Sequence, residues 1–209
     1  DPMLELRADF TESEVTILGS YSNIVAVDSI CLCNTNAERY TLSSRAGVHE
    51  GEINGRITIH NFANTIYIPS FNLKLRYGDN GRTDPLYLGY LFLGRKTELP
   101  RFGVQPEYSL ALTGQSSRSF GGQVFGMRRK TLETFSVNFP RLTAEERNKI
   151  IEYVQAVQNT DPHIIDPYPE AGDMFPPMYV TLDIDEVSLT KQHESGFYYS
   201  SSLAWKEAR

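Results

Sequence analysis

Three carboxylates lie close together in the segment Leu182-Asp183-Ile184-Asp185-Glu186. Successive side chains of a strand point to opposite faces, so Asp183 and Asp185 would share one face of a strand. Two carboxylates placed in this way can act as an acid–base pair or bind calcium. The same alternation with Leu182 and Ile184 is also typical of a half-exposed strand whose polar side faces water. We favour this second interpretation.

The two cysteines, Cys31 and Cys33, lie in one apolar run, where strand geometry would place both thiols on one sheet face. A disulfide between such close neighbours would be strained, and zinc would require further ligands at suitable spacing. The histidines are scattered singly, without a partnering motif. We therefore expect buried, reduced thiols that fill a core, in a reducing compartment such as the bacterial cytosol. The four histidines are His49, His60, His163 and His193.

Two glycine-rich stretches have the composition of catalytic or phosphate-binding loops. Neither 114–117 nor 121–126 contains the Gly-x-Ser-x-Gly pattern of a nucleophile elbow or the lysine of a phosphate-binding loop. Their glycines are more simply explained by chain flexibility. The sequence therefore predicts that the protein is not an enzyme, with no catalytic residue, no cofactor and no metal ligand.

The net charge of −6 argues against a nucleic-acid partner, because such proteins need clustered lysines and arginines. The basic cluster Arg128-Arg129-Lys130 is typical of a solvated strand end. No apolar run approaches the roughly 20 residues of a membrane-spanning helix, and no leader pattern opens the chain. We expect a soluble chain without membrane insertion.

Many tyrosines lie in predicted strands, where they either stack on sugar rings or fill cores and subunit interfaces. We favour core and interface positions. The aromatic residues concerned are Tyr21, Tyr40, Tyr67, Tyr77, Tyr87, Tyr90, Tyr198, Tyr199 and Trp205.

Residues 1–112 contain short strand patterns separated by turn residues, without a convincing helical period. This pattern predicts a β-sandwich or jelly roll. The predicted strands are Leu4–Phe10, Val15–Leu18, Ile24–Cys33, Arg39–Leu42, Gly55–His60, Thr65–Ile68, Phe71–Tyr77 and Leu86–Gly94, with a turn at Gly78–Gly81.

Residues 113–209 are predicted to form a smaller α+β domain, entered through a flexible linker or exposed loop near 112–126. A strand at Thr131–Phe139 would bury the face that consists of Thr131, Glu133, Phe135, Val137 and Phe139. An amphipathic helix at about 143–158 follows, because Thr143 and Glu146 form a capping box. Its apolar stripe would be Ile150, Ile151, Val154 and Val157. Further strands are predicted at Ile164–Ile165, Met178–Ile184 and Gly196–Trp205.

The run Ile24–Asn36, followed by Arg39-Tyr40-Thr41-Leu42, resembles the first half of galactose-binding-like, or discoidin-like, sandwiches. Leu73–Tyr77 and Leu88–Gly94 resemble their closing strands. Such domains often bind sugars through loops at one end, but no ligand-binding residue of that kind can be matched in this sequence.

The second half is similar in its order of motifs to structural proteins of tailed-phage and prophage tails. This resemblance implies a tail or baseplate component, located in the virion and in the host cytoplasm during assembly. Its partners would be copies of itself, in a homo-oligomeric ring, and other tail proteins. The alternative is a carbohydrate-binding module that recognises cell-surface glycans. The matching motifs are Ser119–Gln123, Arg128–Lys130, Phe135–Val137, Leu142–Arg147, Asp166-Pro167 and Leu203–Glu207.

Overall fold

A computed structural model describes residues 4–10, 14–78, 85–103, 105–111, 115–118, 120, 123–127, 131–169, 176–191 and 198–208. The chain divides into two compact units, Asp1–Lys96 and Thr97–Arg209. Each unit has its own antiparallel sheet and its own apolar core. The described part of the chain contains one α-helix. The mainly β fold with an α+β region is therefore confirmed, although the second unit is the longer of the two.

The first unit consists of one bent sheet in which two long strands pair along their whole length. The strand order is β1-β2-β5-β3-β4, with β6 pairing the second half of β2. The strands are β1 (Leu4–Phe10), β2 (Glu14–Thr35), β3 (Arg39–Ser44), β4 (Gly47–Glu52), β5 (Ile57–Arg76) and β6 (Leu88–Gly94).

The length of β2 and β5 differs from the prediction, which divided each of them into shorter strands. Register shifts between Ser20 and Val25, and between Val27 and Ser29, interrupt their pairing. A bulge bends a strand without ending it. Polar residues that look like a turn in the sequence, such as Ser22 and Asn23, therefore lie within a continuous strand.

One apolar cluster fills the inside of this bent sheet. It combines residues from the first half of β2, such as Val15, with residues from its second half, such as Ile30 and Leu32. Both halves of the sheet therefore pack on the same core, as the two layers of a sandwich do. The finer assignment to galactose-binding-like jelly rolls stays a prediction.

The second unit has a sheet of order β11-β12-β14-β10-β7, with β13 pairing β14, and a separate two-stranded sheet, β8-β9. Helix α1 packs on the larger sheet through Ile150, which joins the same apolar cluster as Phe135 and Val180. The elements are β7 (Glu107–Ala111), β8 (Gln115–Arg118), β9 (Val124–Met127), β10 (Leu132–Leu142), α1 (Ala144–Val157), β11 (His163–Ile165), β12 (Met178–Leu182), β13 (Thr190–Lys191) and β14 (Tyr199–Glu207).

The two units meet in sequence at Lys96–Thr97 and not at the expected position near residue 112. The reason is strand β7, which pairs with β10 from Glu107↔Ser136 to Ala111↔Leu132. This ladder joins β7 to the second sheet. The sequence shows no such pairing, because it is made across about twenty intervening residues.

Helix α1 begins as predicted. Thr143 is its N-cap, and its side chain accepts from the Glu146 backbone while Glu146 accepts from the Thr143 backbone at 2.8 Å. Its buried face differs from the prediction in two positions: Tyr153 is buried, and Ile151 is outside the core cluster. Positions 150, 153, 154 and 157 form one helical face, and Ile151 lies about a quarter turn away from it.

The other predictions have mixed outcomes. The buried face of β10 is confirmed for Phe135, Val137 and Phe139, whereas Thr131 and Glu133 on the same face are only partly buried. No helix in the described ranges is long and apolar enough to cross a bilayer. Several predicted features fall outside the described residues, namely the end of the Gly78–Gly81 turn, Gly114, Gly121-Gly122, Arg128–Lys130, His193 and Gly196.

Candidate functional site: a hairpin and a cavity of the second unit

Strands β8 and β9 form a hairpin that was not expected from the sequence, which predicted a linker. The two strands pair from Gln115↔Met127 to Arg118↔Val124 and form a sheet of their own. The sequence does contain a signal for this hairpin, because a connection of three to five residues that includes glycine favours a hairpin with a longer loop. We call the described residues of this hairpin, 115–118, 120 and 123–127, the arm.

Phe120 lies between the two strands of the arm and is completely exposed, at 115% of the reference surface for Phe. Its neighbours Arg118 and Gln123 are exposed as well. Large aromatic side chains usually contribute to stability by being buried, and a two-stranded hairpin alone is marginally stable in water. The arm therefore combines two features that burial against another surface would stabilise.

The sequence segment 115–130, which contains the arm, is the most basic part of the chain. Residues 115–130 include Arg118, Arg128, Arg129 and Lys130 and contain no aspartate or glutamate. The chain as a whole has a net charge of −6. A basic segment in an acidic protein is attracted to acidic surfaces of other copies of the same protein.

An open cavity of about 360 Å³ lies between the C-terminal end of α1 and the segment after β12. Its apolar wall comes from Val154, Leu182, Ile184 and Val187, and its polar wall from Gln155, Gln158, Asn159, Asp185 and Glu186. Volumes of several hundred cubic ångströms are typical of ligand-binding pockets. We call this feature the acidic cavity.

The electrostatic character of the acidic cavity has two sources. Asp185 and Glu186 supply two carboxylates, and neither the cavity lining nor the last turn of α1 contains a basic residue. The C-terminal end of a helix also has a partial negative charge from its terminal carbonyl groups. The cavity therefore favours a group that is both apolar and positively charged, or an apolar group with a cation beside it.

Of the three carboxylates in the segment 182–186, Asp185 and Glu186 line the acidic cavity, whereas Asp183 does not. Strand β12 ends at Leu182, so Asp183 and Asp185 lie after it. Asp183 accepts a hydrogen bond of 2.6 Å from Nζ of Lys206, whereas Asp185 lines the cavity. Both are exposed while Leu182 is buried, so the expected water-facing side is observed, but neither carboxylate lies in a strand as predicted.

Cys31 and Cys33 are both buried thiols on one face of β2, as expected. They do not belong to the main core, however, because Ile30 and Leu32 point into it from the opposite face of the same strand. The thiols lie instead among Ile57, Ile59, Tyr90 and Phe92, their direct cross-strand partners on the outer face. Burial raises the pKa of Cys33 to about 11.

The outer face of the other half of this sheet is charged. Glu14 forms ion pairs with Lys74 at 3.1 Å and with Arg76 at 2.5 Å. The hydrogen bond from Arg76 holds the pKa of Glu14 below its usual range. The two halves of one sheet therefore have different outer surfaces, apolar around the thiols and ionic around Glu14.

A polar network joins three elements within the second unit. Nε1 of Trp205, on β14, donates to the Tyr153 hydroxyl of α1 at 2.7 Å, and this hydroxyl lies 2.6 Å from Nε2 of His163 on β11. Nδ1 of His163 lies 2.9 Å from the carbonyl oxygen of Asp161, so Nδ1 donates and Nε2 accepts. The indole N–H of Trp205, the Tyr153 hydroxyl and both ring nitrogens of His163 therefore all have a partner when His163 is neutral.

Three of the four histidines lie within the described residues, and each of these three packs against an aromatic ring. His49 packs against Phe62 and His60 against Tyr40, and His163 belongs to the network with Tyr153. Within the described ranges, no three His, Cys, Asp or Glu residues are placed to share a metal ion.

The aromatic residues considered for sugar binding are divided between core and surface. Tyr40 and Trp205 are buried, and Tyr21 and Tyr199 pack partly against the two cores. The exposed members are Tyr67, Tyr87, Tyr90 and Tyr198.

Comparison of the chain with models of known protein families, with curated proteins and with solved structures gives no match. Any function must therefore be inferred from the surfaces described above.

Proposed function

We propose that this chain is a structural subunit that works by self-assembly, and that the assembly is the tail or baseplate of a phage or prophage virion. The single observation that supports assembly most strongly is the arm, which forms a separate two-stranded sheet and carries the completely exposed Phe120. The motif order of the second half supports the tail assignment.

The energetic reason for assembly is the burial of Phe120. Covering one such side chain contributes about 1.5 to 3 kcal/mol, and ordering the two strands against a neighbour adds backbone and side-chain contacts. A single contact of this size gives weak association between two chains. Repeated around a ring, the same contact gives a stable particle, because each subunit is then held twice.

Sedimentation velocity over a wide range of concentrations tests this proposal. We expect the wild-type chain to self-associate and Phe120→Ser to shift the association constant at least about tenfold toward the monomer. Ile24→Ser is the matched control, because Ile24 is also an exposed apolar residue, at 68%, but lies on β2 in the first unit. Equal sedimentation of wild type and Phe120→Ser at all concentrations would refute the role of the arm.

A further inference from the structure

We propose that the arm of one subunit docks into the acidic cavity of the next copy of the same chain, with Phe120 against the apolar wall and Arg118 beside Asp185 and Glu186. This inference deepens the proposed function and rests on it, since it names the partner surface of the arm.

Chemical complementarity between the two surfaces supports this pairing. The arm presents an aromatic ring with a guanidinium group two residues away in sequence. The cavity presents an apolar wall of Val154, Leu182, Ile184 and Val187 beside two carboxylates. An arginine can form bidentate hydrogen bonds with a carboxylate, and such pairs combine strength with fixed geometry.

The carboxamides of the cavity support the same orientation. The side chains of Gln155, Gln158 and Asn159 line it together with the carboxylates. Carboxamide groups can both donate and accept, so they can pair with backbone groups of an incoming strand or turn. The cavity is therefore suited to a short peptide segment with one apolar side chain. Phe120, which lies between β8 and β9 in the sequence, provides such a side chain.

The uneven distribution of charge along the chain also favours contact between copies. Four basic residues and no acidic residue lie in 115–130, whereas the segment 182–187 contains three acidic residues and no basic one. Two chains with a net charge of −6 repel each other on average. Docking of the basic segment on the acidic one replaces this repulsion locally by attraction.

The geometry of the assembly follows from the use of two different surfaces. Each subunit has one arm and one acidic cavity, so the contact is head-to-tail and not two-fold symmetric. A head-to-tail contact that closes on itself gives a ring, and one that does not close gives a filament. Both outcomes agree with a tail component, and the ring is the form implied by the sequence resemblance.

Mixing of two complementary variants tests the pairing. Phe120→Ser has a defective arm and an intact cavity. Gln155→Arg has an intact arm and a cavity to which a cation has been added. Gln155 is exposed, so this substitution leaves the core unchanged. Each variant alone should sediment as a monomer at concentrations where wild type associates, and their mixture should form a 1:1 complex that does not grow further.

Different results of these experiments would refute docking into the cavity and the role of the arm in assembly. If Phe120→Ser is monomeric while Gln155→Arg associates like wild type, the arm mediates assembly but docks elsewhere, and the pairing is refuted. Absence of a complex in the mixture of two folded, monomeric variants would refute it as well. Ala156→Arg, which adds the same charge at an exposed position of α1 outside the cavity lining, is the control and should associate within about twofold of wild type.

A charge exchange gives a second, independent test. Arg118→Glu alone and Glu186→Arg alone should each weaken association about tenfold, as loss of a charge-assisted pair does. The double variant should recover most of the loss, whereas additive losses would show that the two residues do not meet. Circular dichroism of every variant verifies that differences in association do not come from misfolding.

Discussion

Nε1 of Trp205 donates a hydrogen bond of 2.7 Å to the hydroxyl of Tyr153 in the core of the second unit. The bond joins the last strand of the sheet to the single described helix. Because the same hydroxyl contacts His163, one oxygen atom connects three elements that are distant in sequence.

Removing this hydroxyl should destabilise the second unit. In Tyr153→Phe, the indole N–H of Trp205 and Nε2 of His163 both lose their partner, while the packing of the ring is kept. A buried polar group without a partner costs about 1 to 3 kcal/mol, so we expect a loss of about 2 kcal/mol or more in unfolding free energy. Urea denaturation followed by tryptophan fluorescence measures this, since Trp205 is the only tryptophan. A change below about 0.5 kcal/mol would show that the network contributes little.

Stability should also decrease in mild acid because of His163. Burial lowers the pKa of His163 below its ordinary value of 6.5, and the Asp161 carbonyl and carboxylate oppose this only partly. The unfolded chain therefore binds a proton before the folded chain does. The unfolding free energy should fall as pH decreases from 6.5 and level off below the folded pKa. We expect His163→Gln to be less stable at neutral pH but to show a smaller decrease between pH 7 and pH 5; an unchanged slope would contradict the assignment.

The thiol of Cys33 should react slowly although it lies on the outer face of its sheet. It is 1% exposed and has a pKa of about 11, so its thiolate fraction at pH 8 is about one in a thousand. In a Cys31→Ser background, alkylation by iodoacetamide should be slower than that of an exposed thiol by about a hundredfold or more. Mass spectrometry follows the modification, and the same reaction in denaturant is the control. Rapid alkylation of the folded protein would mean that this face opens readily.

The parts of the fold that follow from local signals were predictable. The capping box of Thr143 and Glu146 fixed the start of α1, and the period-two pattern of β10 identified Phe135, Val137 and Phe139 as its buried face. Strand β4 was not predicted. Among the described strands it pairs only with β3, and most of its side chains are exposed, so its sequence shows no apolar alternation. The continuity of β2 depends on bulges within a long-range pairing with β5, which local sequence does not encode.

The candidate site was less predictable than the fold. Asp185 and Glu186 were recognised as a carboxylate cluster, but the wall opposite them comes from Gln155 and Asn159, on and just beyond helix α1. Only tertiary structure brings these segments together. The serines and glycines of the arm have low strand propensity and therefore predict a linker, although a glycine-containing connection of this length is also compatible with a hairpin.

Amide hydrogen exchange of residues 115–127 at low and high protein concentration tests the role of the arm most directly. In the monomer the arm is a two-stranded hairpin, so its amides should exchange quickly. If assembly buries Phe120 against a neighbouring copy, protection of these amides should rise with concentration, and this rise should be lost in Phe120→Ser but kept in Ile24→Ser. Exchange at the same fast rate at every concentration, in a sample shown by sedimentation to be associated, would contradict assembly through the arm.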